Sequence, residues 1–172
     1  MEEKTSLANE VDSAGYDAAE KPFDFINANS ETALVCESDR AIKEKITKIL
    51  VNMGYHVTEP ASGREALKSM RFHIYDLVII NENFDVADAQ SSNEVLNYLQ
   101  NLAAAARRNT FVALLSDNYR TMDNMMAFNK SVNLMINKKN IGDFSIIISQ
   151  GLADNKAFYG IFRETLKKLG RI

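Results

Sequence analysis

The chain has 172 residues, 46% of them hydrophobic and 25% charged, with a formal net charge of −3 and a pI near 5.5; this is room for one domain with a full core and short extensions. Charges of both signs are mixed along most of it, which excludes the basic footprint of a nucleic-acid binder, and no apolar run approaches the roughly 18 residues of a membrane span. Cys36 is the single cysteine, which excludes an intramolecular disulfide and a cysteine zinc cluster and suits a reducing cytoplasm.

The opening Met-Glu-Glu-Lys-Thr is acidic and polar, unlike a secretory signal. Glu2, Glu3, Glu10, Asp12, Asp17, Glu20 and Asp24 face only Lys4 and Lys21. Apolar periodicity is missing from this stretch, so residues 1–30 read as an acidic, mostly disordered arm. Phe23, Phe25 and Ile26 break the pattern and are expected to pack onto the folded part.

From Thr32 strand and helix alternate. Thr32–Glu37 is a nearly continuous apolar run, as a buried parallel strand requires. Asp39 is placed to cap a helix whose Ile42, Ile46, Ile49, Leu50 and Met53 recur at helical spacing, with Gly54 as its stop. His56–Thr58 reads as a second strand, and a helix runs from Gly63 through Met70. Asp76–Ile80 is the clearest buried strand. A polar loop over 81–92 precedes one helix around Glu94–Arg107. Phe111–Leu115 is a fourth strand, Met122–Lys130 a helix and Leu134–Ile136 a fifth strand, followed by helical sequence from about Gly142 to Leu169. Such alternation implies a doubly wound α/β fold, a parallel sheet with helices on both faces. Its crevice lies at the carboxyl ends of the strands, which selects Glu37, Ser38, Asp39, Asn81, Ser116 and Lys138.

The stretch Ala33–Met70 resembles the opening of a response-regulator receiver domain. The matching pieces are the acidic cluster Glu37-Ser38-Asp39, the turn Gly54-Tyr55-His56-Val57 and the helix start Ala61-Ser62-Gly63-Arg64-Glu65-Ala66-Leu67. Tyr75–Ile80 looks like that family's third strand, Ser116 like its hydroxyl residue after the fourth, and Lys138 like its lysine after the fifth. The resemblance spans roughly 32–150 and implies a flavodoxin-like, five-stranded sheet in the order 2-1-3-4-5, within a domain over 31–151, from a bacterial two-component or phosphorelay system.

The resemblance breaks at the reactive position. Where active receivers carry a phosphoaccepting aspartate this chain has Asn81, whose amide cannot form an acyl phosphate as a carboxylate does. The metal-holding acidic pair is reduced to Glu37 with Ser38, so magnesium binding is expected to be weak or absent and no other cofactor is implied. The loop Glu82–Asp88 lacks the proline and glycine usual there, and Met135 replaces the aromatic switch residue. These features point to a pseudo-receiver: not an enzyme, but a phosphorylation-independent module acting through other signalling proteins. Two alternatives stay open: a phosphoaccepting receiver using a neighbouring acid such as Glu82 or Asp85, and a sensor of a small ligand or nucleotide.

Ser116 and Lys138 are expected to hydrogen-bond the loop around Asn81, and Glu37 to form a charge pair with Lys138. Met122, Met125, Met126 and Met135 suit core packing or an adaptable partner surface. The chain then continues past the usual end of such a domain. Phe158, Tyr159, Phe162, Leu166 and Leu169 recur at helical spacing in an extension over 152–172. A continuous helix to Leu169 would run about 40 Å, longer than the domain is wide, whereas Gly151 and Gly160 are points at which it could break. Its apolar stripe must be covered by a partner, by a second copy in a homodimer, or by the 21–26 segment.

Overall fold

A computed structural model of the chain describes residues 30–86 and 92–170. The acidic arm, including Phe23, Phe25 and Ile26, lies outside the described residues. Five strands, β1 (Thr32–Cys36), β2 (His56–Thr58), β3 (Leu77–Asn81), β4 (Phe111–Ser116) and β5 (Leu134–Asn137), form one sheet in the order β2-β1-β3-β4-β5. Every pairing is parallel. Helices α1 (Arg40–Asn52), α2 (Gly63–Phe72), α3 (Glu94–Asn101), the short α4 (Ala104–Arg107), α5 (Asn124–Asn129) and α6 (Phe144–Lys168) connect and follow the strands.

Alternate residues of each strand serve opposite layers, as a sheet covered on both faces requires. Leu34, Cys36, Val78, Ile80, Val112, Leu114 and Met135 pack with Ala66, Leu67 and Met70 of α2 and with Val95 and Leu99 of α3. Ala33, Val35, Leu77, Ile79, Ala113, Leu115 and Ile136 pack with Ile46 and Leu50 of α1 and with Phe144 and Ile148 of α6. Burial also pushes the Cys36 thiol well above its ordinary pKa, which makes it an inert hydrophobe.

Local chemistry sets the helix boundaries. Asp39 accepts from the N–H groups of Ala41 and Ile42 at the start of α1, and Gly54, at φ +94°, turns the chain out of its end. Ser62 accepts from the N–H of Glu65, while the Glu65 carboxylate accepts from the N–H of Ala61, a reciprocal cap on α2.

One of the helix assignments is corrected. The single helix over Glu94–Arg107 is two, parted at Leu102 and Ala103, whose ψ angles near 140° are extended. The Arg107 guanidinium donates to the carbonyls of Thr110 and Ser131 and to Asn133 Oδ1, which fixes the second piece against the edge of β5. The C-terminal helix, by contrast, does not break at either glycine. It runs unbroken over 25 residues, about 37 Å at 1.5 Å per residue, after a 3-10 turn over Lys138–Asp143. Gly151 is buried where α6 crosses the sheet: a Cβ there would lie 3.0 Å from Leu134 Cδ2 and 3.1 Å from Phe111 Cζ. The glycine is thus a contact surface rather than a breaker. Among the described residues no helix is long and apolar enough to cross a membrane.

Candidate functional site

The carboxyl ends of β1, β3, β4 and β5 bring Glu37, Asn81, Ser116 and Lys138 to one end of the sheet. Glu37, Asn81 and Ser116 are buried, so each polar group must find a partner or destabilise the fold. Asn81 Nδ2 donates to both carboxylate oxygens of Glu37, at 2.9 Å each. Asn81 Oδ1 accepts from the N–H of Asn83 at 2.9 Å. The orientation of the amide follows from its partners, because only its nitrogen can donate to a carboxylate and only its oxygen can accept from a backbone N–H. Glu37 Oε1 also accepts from the N–H of Asp39.

Magnesium, which the receiver resemblance implies for active members, would need several oxygen ligands here. Glu37 is the one buried carboxylate among the described residues, and both its oxygens already accept hydrogen bonds, from Asn81 and, at Oε1, also from the Asp39 N–H. Ser38 and Asp39 are exposed, and the Asp39 side chain is engaged in capping α1. Among the described residues no group of three or more His, Cys, Asp or Glu side chains is placed to hold a metal ion. The residues present do not fit the ion.

The two neighbouring acids are also engaged. Asp85, in the left-handed region at φ 55°, accepts from the N–H of Gly63 at 2.7 Å, tying the β3 loop to the start of α2. Glu82 Oε1 accepts from Ser116 Oγ at 2.7 Å, from Asn118 Nδ2 at 3.0 Å and from the N–H of Asp117 at 3.3 Å. Ser116 therefore does bond the segment beside Asn81. Lys138 does not pair with Glu37: its Nζ donates to Asp117 Oδ2 at 2.7 Å. Burial works against its charge, but the bond and attraction of Asp117, with Glu37 and Glu82 behind, prevail and raise its pKa. Met135 is buried in the sheet layer that faces α2 and α3.

Two asparagines that the sequence reading missed complete the frame. Asn93 caps α3 through Oδ1 to the N–H of Leu96, while its Nδ2 donates to the carbonyls of Asn81 and Glu82. Asn137 donates to the carbonyl of Tyr119 and accepts from the N–H of Lys139. An asparagine directly before an acidic helix start is a readable capping signal; the tie from Asn93 back to β3 is not.

Solved structures share this fold. The response-regulator receiver domain protein of Clostridium thermocellum is 20% identical with a TM-score of 0.54, over 74% of this chain and 98% of that one. The CheY-like receiver domain protein of Methanospirillum hungatei JF-1 is 18% identical with a TM-score of 0.55, over 74% and 98%. The chemotaxis response regulator CheY4 of Vibrio cholerae is 18% identical with a TM-score of 0.51, over 63% and 87%. The fold is that of receiver domains. No family model matches the sequence, and no curated protein does.

Beyond this receiver fold, α6 carries a second candidate surface. Tyr159 and Leu166 are half-buried on its domain side, and Arg108 stacks over the Phe162 ring at 5.2 Å. Phe158, at 80%, Ile161, at 81%, and Leu169 are exposed. The stripe expected from sequence thus divides, and Ile161 joins its outer face. On α5 and just before it, Met125, Phe128 and Met122 are exposed as well, whereas Met126 packs against the core. Met122, Leu134 and Phe158 line one groove between α5 and α6, which links the two apolar patches.

Proposed function

We propose that this chain is a receiver-fold signalling module of the cytoplasm that works without phosphorylation, by protein–protein contact, and catalyses no reaction of its own. The observation that carries the proposal is the bond pair from Asn81 to Glu37. It places a non-nucleophilic amide where phosphoryl transfer would need a carboxylate, and it uses up the carboxylate that a metal would need. The acids nearest by, Glu82 and Asp85, are held by Ser116 and Gly63, which argues against either as a substitute acceptor.

The output surface in this reading is the outer face of α6 with the adjoining exposed side chains of α5. Its occupant is a second copy of the chain: Phe158, Ile161, Phe162 and Leu169 lie along one helix, so an antiparallel copy offers the same side chains in return. The test is a set of amide NMR spectra of the whole chain with magnesium and either acetyl phosphate or beryllofluoride. Unchanged spectra are expected. Saturable shifts at Asn81, Ser116 and Lys138 would overturn the reading in favour of a phosphoaccepting receiver using a neighbouring acid.

A further inference from the structure

At the amino ends of the strands, away from the site above, a cavity of about 230 Å³ lies between the end of α2 and the break that parts α3 from α4. Met70, Leu99, Leu102 and Ala106 give it apolar walls, and Arg71 and His73 also line it. Ile74, another lining residue, is 60% exposed. An apolar cavity of about 150 Å³ already holds a benzene molecule, so this one has room for an aromatic ring. The chain enters the sheet at the same place. Thr32, the first residue of β1, donates to Asp76 Oδ2 from its N–H at 2.8 Å and from its hydroxyl at 3.0 Å. A hydroxyl has one proton, so the 2.8 Å bond between Thr32 Oγ1 and His73 Nε2 is donated by the imidazole. The start of β1 is thereby clamped to the cavity wall.

We infer that this cavity is the docking site of the chain's own residues 21–26, with the ring of Phe23 or Phe25 inside and the other ring against Ile74. Phe23 and Phe25 stand nine and seven residues before Thr32. Such tethers span at most roughly 25–32 Å, and the clamp at His73 puts the cavity within that reach. The charges agree: Glu20 and Asp24 accompany the two rings, while Arg71 lines the cavity and Lys68 lies one turn earlier on the same face of α2. Pro22 restricts the segment before it docks, which lowers the entropy that docking costs. The groove on the α1 and α6 side of the sheet, with Glu31, Asp76, Asn155, Lys156 and Arg163 in its lining, is mainly polar and suits the rings less well. This assignment leaves the outer face of α6 to the second copy and is independent of how Asn81 is read.

The test is NMR of the full chain with labelled phenylalanine and methyl groups. Nuclear Overhauser contacts are expected from the Phe23 or Phe25 ring to the methyls of Met70, Leu102 and Ala106. Contacts to Leu152, Ile161 or Phe158 instead, or none to the cavity, would overturn the inference. Phe23→Ala/Phe25→Ala should move the cavity methyls and leave those of α6 in place. A short tether supplies an effective concentration on the order of millimolar, so a peptide of residues 19–28 at that concentration should bind this variant and move the same methyls saturably. No saturable shift overturns the inference, as does binding that persists when Ala106→Phe fills the cavity. If Ala106→Phe fails to fold, the ring contacts of the parent and the peptide titration still decide.

Discussion

Asn81 Nδ2 lies 2.9 Å from each carboxylate oxygen of Glu37, and both side chains are buried. The amide offsets the cost of holding that carboxylate away from water, a cost of several kcal/mol for an unpaired ion. Asn81→Asp restores the residue that a phosphoaccepting receiver would carry, but it removes the donor and sets two carboxylates against each other. We expect a loss of about 1–3 kcal/mol at neutral pH. Protonation of either carboxyl removes the repulsion, so the variant's deficit against the parent should shrink as pH falls toward about 4. Magnesium should relieve the same repulsion and raise the variant's melting temperature, but not the parent's. Equal melting temperatures for the two proteins at neutral pH would show that the pair does not hold the site.

The two glycines of α6 should respond in opposite directions. A Cβ at Gly160 would have nothing within 4 Å, so Gly160→Ala gains helix propensity and should stabilise by about 0.5–1 kcal/mol. At Gly151 the new methyl meets Leu134 Cδ2 at 3.0 Å and Phe111 Cζ at 3.1 Å. Phe111 and Leu134 are themselves buried, so neither can yield freely. Overpacking costs of about 1–3 kcal/mol outweigh the propensity gain, and Gly151→Ala should destabilise. Urea midpoints of the two variants, compared with the parent, check the contrast; shifts of the same sign would mean that α6 does not cross the sheet at Gly151.

The sheet was readable because its strands are short apolar runs between polar turns, and because Gly54 and Asp39 mark the ends of α1 by their own chemistry. Those signals are local. What escaped depends on partners far along the chain. Arg107 reaches Ser131 and Asn133, 24 and 26 residues away, and so splits a helix that is continuous by composition. Glu82 reads as a neighbouring acid that could replace the missing phosphoacceptor, yet its side chain bonds Ser116 across 34 residues. Asp39 was legible both as a cap and as a pocket acid; one side chain serves one role, and two nearby backbone N–H groups claim it. Asn81 was the informative position in sequence, but its grip on Glu37 needed the β1–β3 register, in which Cys36 pairs with Ile80, to become visible.

The outer face of α6 gives the most direct test of how the module works. Phe162 is central in the stripe, but Arg108 covers its ring, so an aspartate there would gain a guanidinium partner and disturb the domain. Ile161 is 81% exposed and is the cleaner position. Burying an apolar side chain of this size contributes about 1.5–3 kcal/mol. Three or four of them, less the cost of association, suffice for a contact on the order of micromolar. Ile161→Asp should therefore weaken self-association about 10- to 100-fold while circular dichroism and the melting temperature stay those of the parent. Sedimentation equilibrium of parent and variant measures it. A parent that remains monomeric well above micromolar concentration would remove the dimer. A variant that dimerises as the parent does would move the interface to Met125 and Phe128, where the corresponding aspartate substitutions would then have to break it.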